Sequence, residues 1–415
     1  EEGNHTLVEI LLPVSDPKAS NNDRTTALIF AVWSGNEKIV DLLIPVSDAN
    51  AADEDGVTAL MYAARGENEQ IIQFLIPVSN VNTTDKNGET ALFHAASFSK
   101  NEKTIKLLLP VSDANVKNKF GMTALMSAIW AEKEKMAEIL IPVSDANTTD
   151  TGRGETALFY AVNKGNKNLV ERLLPVTDVN AKNKYGKTVL MVAVEHYNVL
   201  YGYHTQKTMV ELLLPRSNTE ATDNRGFTAL ILAAKKGFKP MVDLLLPVSD
   251  VDAVNNMGVT ALFAAIKEGN DKIVEILAPV SDCNATNQYG YNALIYAARF
   301  GNEKSVELIL PESDAKASDK DGCTALIYAA EYGTEKSVEL LVPVSDAKAT
   351  DKWGYTALMQ AAMKGNVKSM ELLLPVSDIN ARDKHGKTAL DYAKSSGNYQ
   401  TVKLLQQHSN EPCKS

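Results

Sequence analysis

Asp351-Lys352-Trp353-Gly354-Tyr355-Thr356-Ala357-Leu358-Met359-Gln360-Ala361-Ala362-Met363-Lys364-Gly365-Asn366 reads as a turn followed by a short helix. Asp-x-x-Gly is turn chemistry, with Gly354 free to take a positive φ that costs other residues. Thr356 starts a helix in which Leu358, Ala361 and Ala362 fall at i, i+3 and i+4, on one face. The paired alanines keep that face thin, so a second helix can approach closely. Gly365 ends the helix and Asn366 caps the next one through its side-chain oxygen. The second helix, around Met370 to Leu374, carries an apolar stripe and is stopped by Pro375, which has no backbone N–H to continue it. Two such helices bury too little of their own apolar surface to stand alone.

The stretch recurs. Thr-Ala-Leu begins at Thr26, Thr58, Thr90, Thr123, Thr156, Thr228, Thr260, Thr324, Thr356 and Thr388, with Thr188 and Asn292 opening close variants. Successive starts lie 32 or 33 residues apart, except for the 40 between Thr188 and Thr228. Pro-Val-Ser-Asp or a variant runs in step from Pro13 to Pro375, leaving only Pro17, Pro240 and Pro412 outside that ladder. A period of this size predicts stacked helix-turn-helix units, each burying its apolar face against its neighbours. The fold class is therefore expected to be all-α, an α-solenoid whose units are joined by β-hairpin-like loops.

At these residues the chain resembles the ankyrin repeat family over essentially its whole length. Asp383, Gly386, Thr388, Ala389, Leu390 and Gly397 match the family pattern, as do Asp48-Ala49-Asn50-Ala51 and Asp378-Ile379-Asn380-Ala381. The departures are systematic. The usual Thr-Pro-Leu-His is Thr-Ala-Leu followed by Ile29, Met61 or Phe93, so apolar packing is expected where the family braces its repeats with histidine hydrogen bonds. Pro-Val-Ser replaces the usual Gly-Ala and shortens the period by one residue. On this reading residues 1–22 are the trailing half of a truncated repeat, 23–387 the solenoid, 388–409 a capping repeat with a polar last helix, and 410–415 a flexible tail. The half repeat also suggests that the sequence begins inside a longer protein.

Composition narrows function. The chain carries a formal charge of −10, which argues against nucleic acid as a partner. No apolar run approaches the length of a membrane-spanning helix. Three cysteines, Cys283, Cys323 and Cys413, are too few for a disulfide framework and suggest reduced thiols in a cytoplasmic setting. His5, His94, His196, His204, His385 and His408 form no zinc-spaced set with cysteine. Thr151-Gly152-Arg153-Gly154 lacks the lysine and following helix of a phosphate loop. Asp48, Asp113, Asp145, Asp282 and Asp346 repeat with the period and read as scaffold. No catalytic residue, metal, cofactor or small-molecule substrate is expected.

Residues that break the period are the candidates for function. One set flanks the hairpin glycine, where Phe120, Tyr185, Phe227, Met257, Tyr289, Tyr291, Trp353 and Tyr355 replace the charges found at Asp55, Glu89, Arg153 and Asp321. They are expected to be at least partly exposed, as a row of contact residues. The other is the insertion Glu195 to His204, with Tyr197, Tyr201 and Tyr203. The leading expectation is a monomeric, non-enzymatic scaffold that binds a protein partner on its concave hairpin face. The alternative is the targeting region of a larger enzyme or secreted effector. Should the hairpin row fail, first-helix residues such as Trp33, Trp130 and Phe300 are the fallback.

Overall fold

The computed structural model of the chain describes residues 2–66, 68–195, 202–300 and 302–409. They fall into two compact units, residues 1–217 and 218–415, each built the same way. In the first, helix Glu2–Leu11 precedes pairs such as Ala27–Trp33 with Glu37–Leu43, and the last pair is Val189–Glu195 with Gly202–Leu213. In the second the pairs run from Ala229–Lys236 with Lys239–Leu245 to Ala389–Ser396 with Tyr399–Ser409. Within a unit, first helices pack on first helices and second on second, while each pair packs on itself. The fold is an all-α repeat solenoid.

Local sequence explains each boundary. The threonine of the tripeptide caps its helix in most units, as Thr356 Oγ1 does in accepting from Met359 N at 3.3 Å, though Thr156 makes no such bond. Gly365 closes the same helix at φ 71°, and Asn366 caps the next by accepting from Ser369 N. After Glu102–Leu108 the chain tightens into a 3-10 turn, Leu109–Val111, with Pro110 in its first turn. The residue that replaces the family histidine is fully buried in unit after unit, as at Ile29, Met61, Phe93 and Phe263. Apolar packing therefore does hold these helices together there. The last unit differs: Asp391 and Thr388 form a reciprocal capping box instead.

The connecting hairpins form no strand among the described residues, only isolated bridges such as Ala52 to Thr58. They are stitched across repeats by the backbone. Lys352 N donates to Asp321 O at 2.7 Å, and Thr151 N to Phe120 O at 2.8 Å. Glycine is required at the tip for two reasons. Gly121 has φ 72°, and a Cβ there would sit 2.7 Å from Thr151 N. A second stitch uses the Ser-Asp turns, where Asp145 N donates to Asn115 Oδ1 of the preceding repeat at 2.7 Å.

In the long repeat, the second helix Gly202–Leu213 has 12 residues, against 7 in siblings such as Lys167–Leu173. The insertion is therefore partly helical instead of wholly a loop: Gly202 to His204 lie in its first turn. Gln206, buried, donates from Nε2 to Ala193 O and Val194 O, closing the end of helix Val189–Glu195. Tyr197 and Tyr201 lie outside the described residues, and Tyr203 is placed only as a backbone position in that helix.

Candidate protein-binding surface

Each hairpin is organised by its first residue. Asp319 Oδ1 accepts from Asp321 N and Cys323 N, both at 2.8 Å, which shapes the turn around Gly322. Its second oxygen accepts from Tyr328 Oη at 2.7 Å, tying turn to helix. Asp53 and Tyr62, Asp150 and Tyr160, and Asp383 and Tyr392 repeat this pair. His94 takes the tyrosine's place opposite Asp85.

That histidine belongs to a cluster the sequence reading did not single out. Ligand atoms of Asp85, Glu89 and His94 lie within 4.8 Å of one another. Both ring nitrogens are already engaged, Nε2 with Asp85 Oδ2 at 3.0 Å and Nδ1 as acceptor from Arg65 Nε at 3.0 Å. Burial and the Arg65 cation push the imidazole's pKa down to about 4. A neutral histidine whose one lone pair is committed to a guanidinium is a structural link, not a metal ligand in waiting. Cys283 and Cys323 are buried free thiols, pushed up to about 11 and about 12 chiefly by burial. A group so raised is a poor nucleophile.

The two hairpin positions flanking the glycine differ in burial, although their side chains touch where both are large, as Tyr289 does in stacking on Tyr291 with centroids 5.7 Å apart. The residue before it points out: Phe120 is 63% exposed and Trp353 43%, with Tyr185, Met257 and Tyr289 between these values. The residue after it turns inward against the first helices. Phe227 is buried at 6%, correcting the expectation that it is exposed, because its backbone follows the same inward course as Val57 and Cys323. Tyr291 and Tyr355 are half-buried. They pack edge-on against the helix tyrosine of the next repeat, Tyr291 on Tyr328 and Tyr355 on Tyr392, with centroids 5.8 and 5.7 Å apart. Tyr291 and Tyr355 thus tie neighbouring repeats together, while Phe227 lies under Arg225 and Lys235 of its own repeat. Of the first-helix fallback residues, Trp33, Trp130 and Phe300 are all exposed.

Within residues 218–415 the outward row borders a groove of about 660 Å³ lined by hairpin and first-helix residues, among them Met257, Tyr289 and Phe300. Its wall carries four cations, Arg225, Lys235, Lys267 and Arg299, and one carboxylate, Glu268. Arg299 sits over the rings of Tyr291, Tyr328 and Tyr332 at 5.2–5.5 Å.

Stacked helix-turn-helix units stitched by glycine-tipped hairpins define a helical repeat protein. The family description "Ankyrin repeats (3 copies)" matches residues 1–85, 66–150, 140–203, 196–287, 277–347 and 339–414. The chain belongs to the ankyrin-repeat family. A search of curated proteins returned no match. Ankyrin repeats are generally protein–protein interaction modules and typically non-catalytic. No described helix is long and apolar enough to cross a membrane.

Proposed function

We propose that this chain is a non-enzymatic scaffold that binds a partner protein along its hairpin tips and the adjoining faces of its first helices. The observation that carries the reading is the outward hairpin position. It holds Phe120 and Tyr185 in residues 1–217, and Met257, Tyr289 and Trp353 in residues 218–415, all exposed. The stacking of hairpins is done by backbone groups at this position, so Asp55 and Arg153 serve the fold there equally well. Large apolar side chains kept in water are what an interface uses, and of these Tyr289 also stacks on Tyr291. Aromatic anchors supply much of the energy at such contacts. The partner itself is a protein of a reducing compartment, in keeping with the two buried free thiols. The scaffold acts as a monomer.

The test places a photo-crosslinking amino acid at Tyr289 or Trp353, and as control at Val344, which is exposed in the turn after a second helix. A partner protein recovered from the two hairpin positions and not from Val344 supports the reading. Equal recovery at all three, or recovery at Val344 alone, contradicts it.

A further inference from the structure

In the groove of residues 218–415 one buried polar atom is left over. Asn255 is 4% exposed, and its Oδ1 accepts from Met257 N at 2.9 Å and Val259 N at 3.0 Å. Those two bonds fix which end of the amide is which, so the atom facing away from the turn is Nδ2, a donor. It is buried and has no hydrogen-bond partner in the chain. A donor stranded this way is destabilising until something accepts from it.

Sibling repeats show what is missing. Asn118 occupies the same hairpin position and donates from Nδ2 to Glu89 Oε1 at 3.2 Å, a carboxylate from the position after the glycine of the preceding hairpin. The Asn183 amide likewise lies beside the Glu155 carboxyl and opposes the rise in pKa that burial gives it. In front of Asn255 that position is Phe227, which offers no acceptor. Nor does its own helix supply one. The residue nine positions on, Tyr in several units, is here Ala264, and it lines the groove.

Positive charge converges on the same spot. Arg225 and Lys235 lie over the Phe227 ring, 5.2 and 5.4 Å from its centroid. Lys235, Lys267 and Arg299 occupy the same position of three successive first helices, each in the last turn. None of the four cations forms an ion pair among the described residues, where the pairs of this unit lie at other lysines. In a chain of net charge −10, this is a local inversion of sign.

We propose that this groove is a recognition site for an Asp or Glu side chain carried by a peptide segment of the partner protein. The incoming carboxylate accepts from Asn255 Nδ2, as Glu89 does from Asn118 Nδ2, with Arg225 and Lys235 supplying charge. An apolar neighbour of the acidic residue packs on Met257 and Tyr289. The proposal rests on the protein-binding reading above and narrows it to one site and one side-chain class.

The experiment pans a random twelve-residue peptide display library against the full chain at low and physiological salt. Two variants then separate the site from the rest of the surface. Phe227→Glu supplies the carboxylate from within, as Glu89 and Glu155 do, and fills the site. Asn255→Asp, the residue found at the same position in several siblings, keeps the turn and replaces the donor with a repelling charge. The expected result is a set of peptides sharing one acidic position. Replacing that residue by its amide, or the chain by either variant, weakens binding about tenfold or more, roughly 1.4 kcal/mol. Binding falls as salt rises. Peptides with no shared acidic position, no selected peptide at all, or a single-stranded oligonucleotide that displaces the peptides and binds the two variants as tightly as the unchanged chain, would overturn the proposal. Acidic peptides that bind both variants normally but lose binding on Tyr289→Ser and Trp353→Ser also overturn it, while leaving the scaffold reading standing.

Discussion

Tyr328 Oη donates to Asp319 Oδ2 at 2.7 Å, while the other oxygen of Asp319 holds two backbone N–H groups of its own turn. One carboxylate thus shapes the hairpin and fastens it to the following helix. The tyrosine is what makes the second oxygen tolerable in a buried place. Tyr328→Phe removes the donor and keeps the ring, so it should cost about 1–3 kcal/mol. Tyr296→Phe is the control, because Asn287 stands opposite it and no bond to its hydroxyl joins them; that change should stay within about 0.5 kcal/mol. Urea unfolding of the two variants makes the comparison, and equal costs would remove the hydrogen bond from the explanation.

His94 gives its unit a histidine-based pH dependence. Its pKa is pushed down to about 4, first by burial and then by Arg65, against about 6.5 in an unfolded chain. Between those values the unfolded state binds the proton and the folded state does not. The contribution of neutral His94 is therefore complete above about pH 6.5 and is lost as pH falls toward 4. His94→Tyr, the sibling residue, does not titrate in this window. On acidification from pH 7 to pH 4.5 the unchanged chain should lose stability relative to His94→Tyr. Parallel profiles would contradict the assignment.

Gln206 bridges the two helices of the long repeat by donating to Ala193 O and Val194 O. Truncation to alanine leaves two buried carbonyls without that donor and should cost about 1–3 kcal/mol. Hydrogen exchange should report the loss at helix Val189–Glu195. A change confined to distant repeats would show that Gln206 is not the link.

The ladders of Thr-Ala-Leu and Pro-Val-Ser-Asp made the repeat legible in the sequence, because caps, glycines and prolines act locally wherever they stand. The direction of the hairpin side chains was not legible. Val57, Glu89, Phe227 and Cys323 share one position with no common chemistry, since only the backbone course turns it inward. Two other signals were present and went unread. Asp opposite Tyr or His recurs nine residues apart, at Asp53 and Tyr62 and at Asp85 and His94, while Asn118 and Asn255 face Ser127 and Ala264. Lys235, Lys267 and Arg299 recur at the repeat spacing of 32. Both are period-registered pairings, visible only once units are aligned on one another.

The central claim is that the outward hairpin residues serve binding and their inward neighbours serve the fold. The direct measurement compares two serine sets in the full chain by urea unfolding and by capture of the partner recovered through Trp353. One set changes Phe120, Tyr185, Tyr289 and Trp353, the other Phe227, Tyr291 and Tyr355. The account predicts that the outward set leaves the unfolding midpoint in place and abolishes capture. The inward set should lower stability by about 1–3 kcal/mol per residue. An outward set that unfolds as readily as the inward one, or that still captures the partner, would contradict it.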